Sequence, residues 1–155
     1  MEIHKYPDPI LLKKSESVII DKELLNWIQD FILFTETMKW GFVAGMAAPQ
    51  VGRNIRVFLA LGNIYINPVM TPYEEDGFYI AKEGCYSLKE NKFDYEVKRW
   101  NTVWLEYYTK KGQHKKITVH NYPAQVIQHE YDHLEGKLCC GDNKPPIQPA
   151  GTPAA

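Results

Sequence analysis

The stretch Gln128-His129-Glu130-Tyr131-Asp132-His133-Leu134-Glu135-Gly136 decides how the rest of the chain is read. It contains His-Glu-x-x-His. On a helix, residues four apart lie one turn above the other. His129 and His133 then share a face and can point at one metal ion. Glu130 sits about 100° round from His129 and about 60° from His133. It reaches the same side without being a ligand. Two imidazoles for an ion and one carboxylate for its water are what a metal hydrolase needs. Asn121 to Pro123 should open this helix, with Asn as N-cap and Pro in the first turn. Ile127, Tyr131, Leu134 and Leu138 form an apolar stripe. Val126, His129, Glu130 and His133 form a second, functional face, and Gly136 reads as a stop.

A catalytic metal site usually has three protein ligands and one open position. Cys85 is the favoured third ligand, an isolated thiol between Gly84 and polar residues after a strand. Cys139 and Cys140 follow the helix and should point away from the histidine face unless the chain folds back. They read as small buried hydrophobes.

Upstream, Tyr6-Pro7-Asp8-Pro9 is turn chemistry. From about Asp21 to Trp40 the pattern is helical, with Asp21 as N-cap and Leu24, Leu25, Ile28, Phe31 and Ile32 recurring at helical spacing. Gly41 to Gly52 is small and apolar, ends near the single amide of Gln50, and by itself reads as a tightly packed helix-to-strand connection. Strand-like runs cover Ile55 to Leu61 and Ile64 to Val69, broken by a hairpin signal at Gly62-Asn63. Thr71 to Gly77 reads as a polar loop. Further strands are expected around Phe78 to Ala81, Tyr95 to Arg99, Thr102 to Thr109 and Ile117 to His120, with a turn over Lys110 to Gln113. The lysines at 110, 111, 115 and 116 suit a solvated hairpin end.

With 155 residues, 45% hydrophobic and 24% charged, the chain fits one globular domain, over 1–142, and a Pro/Gly/Ala-rich flexible tail, over 143–155. The net charge of −1 gives no reason for nucleic-acid binding, and no apolar run could span a bilayer. Three cysteines, two of them adjacent, make a poor disulfide framework and suit a reduced compartment. A cytoplasmic protein is expected; a processed organellar form, or a viral protein acting in a bacterial host's cytoplasm, is compatible.

Three separated stretches resemble the motifs of the peptide deformylases. Gly45-Met46-Ala47-Ala48-Pro49-Gln50 is similar to the family's Gly-Leu-Ala-Ala-x-Gln, and Glu83-Gly84-Cys85-Tyr86-Ser87 to Glu-Gly-Cys-Leu-Ser. Gln128 to Gly136 matches Gln-His-Glu-x-Asp-His-Leu-x-Gly at every fixed position. The resemblance implies an α+β fold, with small antiparallel sheets packed around a central metal-binding helix and one further N-terminal helix. It implies hydrolysis of the formyl group from N-formyl-methionyl nascent peptides, with transient ribosome contact. It implies one divalent metal, natively Fe(II) and replaceable by Zn, Ni or Co. Cys85, His129 and His133 would be the ligands and Glu130 the acid/base. Gln50 and the backbone N–H of Tyr86 would face the formyl oxygen. Gly45, Met46, Gln50, Tyr86 and Val126 would contact substrate. Arg99, Glu83 and Asp132 would support the ligands. Departures are Val43 for a usual Gly, Met46 and Tyr86 for Leu, Asn121 where Gly is frequent, Cys139 where Phe is common, and no long C-terminal helix. They suggest a divergent or shortened member.

Two other readings compete. Another His-Glu-x-x-His metallopeptidase would leave the Gln50 and Cys85 motifs without a purpose. A non-catalytic module with a structural metal would want four protein ligands and no free carboxylate like Glu130.

Overall fold

The computed structural model describes residues 1–38, 43–88 and 94–141. Helix α1 spans Lys22–Glu36. The Asp21 side chain accepts the Leu24 N–H at 2.8 Å, so the expected cap is present. Leu24, Ile28 and Phe31 are fully buried, and burying each contributes about 1.5–3 kcal/mol. Leu25 of the same pattern is exposed. The helix ends at Glu36, short of the expected Trp40, which lies outside the described residues. The expected tail over 143–155 also lies outside them.

Strands β1 (Gly45–Ala47), β2 (Val57–Ala60), β3 (Asn63–Pro72), β6 (Thr102–Tyr108) and β7 (His114–His120) form one antiparallel sheet in the order β1-β2-β3-β6-β7. Strands β4 (Phe78–Glu83) and β5 (Tyr95–Trp100) form a separate two-stranded antiparallel sheet. Helix α2 spans Asn121–Leu134 and carries the His-Glu-x-x-His stretch. Every residue of β2 is buried because the sheet is covered on both faces. Phe58 and Ala60 face a core shared with Ala124, Ile127 and Leu134 of α2. Val57 and Leu59 alternate to the other face and meet Leu24, Ile28 and Phe31 of α1. The fold is therefore α+β, with antiparallel sheets and two α-helices among the described residues.

Three local expectations need correction. The β2–β3 turn centres on Leu61 and Gly62, at φ 48° and 84°, with Ala60 facing Asn63. Positive φ at both central residues is the hairpin geometry that follows strand twist, and a leucine there carries no sequence signal for it. Strand β3 continues to Pro72 and takes in Thr71, expected in a loop; a register shift between Ile66 and Val69 carries it past Asn67 at φ 49°. Asn121 is not the N-cap of α2: it is the first helical residue, at φ 57°, and His120 precedes it without a side-chain cap. Asparagine tolerates this left-handed conformation, which accounts for its place where the resemblance has Gly.

The end of α2 is closed by other segments. The Leu134 carbonyl accepts from Ser15 N–H (2.8 Å), Ser15 Oγ (3.0 Å) and Arg56 Nη1 (3.2 Å). A cation there complements the helix dipole. Gly136 then turns the chain at φ 75°, and a Cβ on it would lie 2.8–2.9 Å from backbone atoms of Leu12 and Lys13. The chain does fold back: Leu138, Cys139 and Cys140 pack in one cluster with Leu11, Cys85 and Leu88. Leu138 is thus buried, but beyond the helix rather than on its stripe.

Candidate metal centre and substrate cleft

Helix α2 supplies two of the three donors, and the loop after β4 supplies the third. Ligand atoms of Cys85, His129 and His133 all lie within 4.8 Å of one another. Cys85 Sγ is 3.3 Å from His133 Nε2. His129 Nδ1–H donates to Glu83 Oε1 at 2.8 Å, which fixes the tautomer and turns Nε2 toward the cluster. Burial disfavours a charged Cys85, yet the His133 charge and hydrogen bonds from both histidines hold the thiol well below its ordinary value. The Ser87 N–H and Gln50 Nε2 each donate to Cys85 Sγ at 3.4 Å. Burial likewise opposes charge on His129, but Cys85 and Glu83 raise it well above its ordinary value. The cluster is arranged to hold positive charge.

Glu130 is 3% exposed. Its Oε1 is 4.0 Å from His129 Nε2, and Oε2 has no hydrogen-bond partner among the described residues. Burial lifts the carboxyl to about 7 against the opposing charges of His129 and His133. Gly45 makes room for it: a Cβ there would come within 2.8 Å of Glu130 Cγ and Oε1. A soft three-donor set beside an unpartnered buried carboxylate oxygen fits a divalent cation carrying water.

Arg99 joins the strand pair to the helix. Its Nε and Nη2 donate to Glu83 at 2.8 and 2.7 Å, and Nη1 donates to Asp132 at 2.6 Å. Burial opposes the Glu83 charge, but the Arg99 and His129 hydrogen bonds bring its carboxyl down to about 2. Arg99→Met should therefore strand two carboxylates and lower stability by ~3–5 kcal/mol, read by urea unfolding of the metal-loaded protein. A change under ~0.5 kcal/mol would show the cluster to be dispensable. Glu83 titrates lower folded than its ordinary 4.5, so its contribution is whole above that value and is lost as pH falls toward about 2. Gln128 makes a parallel link, accepting from Trp100 N–H at 2.8 Å and donating to Trp100 O at 2.9 Å. The polar partners of the β4–β5 pair thus fall on one helix face, at Gln125, Gln128, His129 and Asp132.

A cleft of about 300 Å³ opens at the cluster, lined among others by Gly45, Gln50, Tyr86 and Val126. Gln50 is 2% exposed; its Oε1 accepts from Ala47 N–H at 2.9 Å, and its Nε2 also donates to Ser87 Oγ at 3.2 Å. Lys5 Nζ donates to the Tyr86 carbonyl and steadies the loop after Cys85. Met46, expected beside these residues, is not brought there. Strand alternation turns it away from Gly45 and Ala47, into the core with α1 at 0% exposure. Lys82, Tyr122 and Gln125 also line the cleft and were missed. The signal available was helical: Gln125 and Tyr122 stand four and seven residues before His129. Cys139 is near as well, its sulfur grouped with Glu83 and His129 within 4.8 Å. Burial, with Cys85 and Glu83 nearby, raises its thiol, so it stays a neutral hydrophobe as expected.

The sequence profile of the polypeptide deformylase family matches residues 1–146. A peptide deformylase of Clostridium botulinum is 38% identical, over 88% of this chain and 91% of that one. One from Pseudothermotoga lettingae is 37% identical, over 84% of this chain and 75% of that one. The crystal structure of the Thermotoga maritima peptide deformylase superposes with a TM-score of 0.79 at 32% identity, covering 94% of this chain and 97% of that one. Motifs, fold and relatives agree over most of the length, and the chain belongs to the polypeptide deformylase family, whose members are metal-dependent hydrolases.

Proposed function

We infer that this chain hydrolyses N-formyl-methionyl peptides, breaking the formyl C–N bond with water to give formate and a free amine. The carrying observation is the buried Glu130 carboxylate beside the Cys85, His129 and His133 donors, in a cleft open to a peptide end. Cys85, His129 and His133 would hold the metal, Fe(II) natively, with Zn, Ni or Co able to replace it. When bound, the cation supplies Lewis acidity, which acidifies water and polarises the formyl carbonyl. Glu130 accepts the proton of the attacking water and returns it to the leaving nitrogen. Gln50 Nε2 and the Tyr86 N–H donate to the formyl oxygen as it becomes negative. Gln50 can serve because its Oε1 is tied to Ala47, which aims the amide nitrogen at the cluster. Glu83 and Arg99 hold the His129 ring against rotation. Val126, Gly45 and Tyr86 shape the side-chain wall. No helix among the described residues is long and apolar enough to cross a membrane. Nascent chains in the cytoplasm, met by transient contact with the ribosome, suit this chemistry.

Formate release from formyl-Met-Ala-Ser by the iron- or nickel-loaded protein tests the reading. Release in proportion to enzyme, abolished by chelator, is expected. Failure of the fully metal-loaded chain to release formate, with proteolysis of unformylated peptides instead, would move it to another class of metallopeptidase.

A further inference from the structure

Two N–H donors reach the Cys85 sulfur, Ser87 N–H and Gln50 Nε2, each at 3.4 Å. Both come from loops that the first residues of the chain hold from behind. His4 N–H donates to the Gln50 carbonyl at 2.7 Å. The His4 ring lies over Gly52, where a Cβ would come within 2.5 Å of its Nε2. Tyr6 N–H donates to the Ser87 carbonyl at 2.8 Å, and Lys5 Nζ to the Tyr86 carbonyl. Asp8 closes the segment into a turn: its N–H donates to the Lys5 carbonyl at 2.9 Å, and its carboxylate meets His4 Nδ1 at 2.7 Å. Leu11, fully buried, then packs in the cluster that holds Cys85 and Leu88.

Cys85 to Leu88 is a β-turn, closed by the Leu88 N–H on the Cys85 carbonyl at 3.0 Å. Its central peptide unit joins Tyr86 to Ser87. Across a trans peptide the C=O and N–H point opposite ways. The oxygen of this unit is on Lys5 and its N–H is on Cys85 Sγ. The central unit is what turns over when a turn changes type, and that flip would take Ser87 N–H off the sulfur. A cation on the oxygen opposes the flip. It also polarises the unit, which makes its N–H a stronger donor. We propose that Lys5 is a positioning residue for the metal centre: through the Tyr86–Ser87 peptide unit it keeps an N–H on the Cys85 sulfur and so draws charge from the thiolate. The inference rests on the reading of Cys85 as a metal ligand in a deformylase. A thiolate that gives up less charge leaves a bound cation the stronger Lewis acid. Lys5 acts only through the turn.

The test uses the cobalt-loaded protein, whose thiolate-to-cobalt absorption reports charge on the sulfur without turnover, beside formate release from formyl-Met-Ala-Ser. Lys5→Met should move that absorption to lower energy, because a thiolate with a weaker hydrogen bond gives up its electron more easily. It should lower kcat about fivefold, the worth of one hydrogen bond, with KM within about twofold and the metal retained. Lys5→Arg keeps a cationic donor and should restore both readouts. Lys13→Met removes an exposed charge nearby in sequence and should change neither. A chain without residues 2–5, with Met1 directly before Tyr6, also loses the His4 bond to Gln50 and should shift the absorption further. An absorption unmoved in Lys5→Met, or moved equally in Lys13→Met, overturns the assignment. So does a rise in KM with kcat and absorption unchanged, which would make Lys5 a contact for substrate. A shift in Lys5→Met, from a wild type that releases no formate, overturns the deformylase reading and leaves the Lys5 assignment standing.

Discussion

Glu130→Gln should lower turnover by ~10²–10⁴ while leaving the metal bound. Glutamine keeps the volume that Gly45, having no Cβ, leaves room for. It keeps a hydrogen-bonding oxygen but cannot accept and return a proton at neutral pH. The donors Cys85, His129 and His133 are untouched, and so are Gln50 and the cleft wall. The loss should therefore appear in kcat with KM nearly constant, the signature of an interaction made only in the transition state. Metal content, peptide affinity and kcat on one preparation decide the matter. Near-normal kcat with metal retained removes Glu130 from proton transfer. Release of metal would make it a ligand or a prop for the helix instead.

His133→Ala should take metal from about one equivalent per chain to none, and activity with it, since two donors rarely retain a catalytic ion. His133 is 1% exposed, so water cannot readily substitute for the imidazole. Its Nε2 is the close neighbour of Cys85 Sγ, at 3.3 Å. Removing it withdraws a donor and also leaves the buried sulfur without one of the groups that favour the thiolate. Both effects weaken the site. Elemental analysis after gel filtration reads the outcome. A full equivalent of metal in the variant would show that the ion sits elsewhere.

The helix face carrying this chemistry was legible because a spacing of four needs only the helix itself. His129, Glu130, His133 and Val126 follow from one stretch. The Asp21 cap and the Leu24, Ile28 and Phe31 stripe follow for the same local reason. What was not legible depends on chain reversal or on a single φ angle. Cys139 arrives beside Glu83 only because Gly136 turns at φ 75° under Leu12. Leu61 accepts a positive φ that no leucine advertises. Met46 sits in a motif, yet motif membership does not say which side of a strand a side chain takes; the pleat does. Gln125 and Tyr122 belong to no motif. Only the direction in which the cleft opens along α2 makes them functional candidates.

Among the described residues, no strand ladder ties the β4–β5 pair to the larger sheet. It is seated on α2 by directed polar bonds at Gln125, Gln128, His129 and Asp132. Apolar contacts are indifferent to small slides, but hydrogen bonds are not. One seating satisfies Arg99, Glu83 and Trp100 together, and that seating puts Cys85 opposite the histidines. With no ladder to the larger sheet among the described residues, this pair should be the cooperative unit that opens at the lowest free energy. Amide hydrogen exchange would then slow on metal binding most in Phe78–Glu83 and Tyr95–Trp100 and least in β2 and β3, because the ion ties the loop that follows β4 to the helix through Cys85.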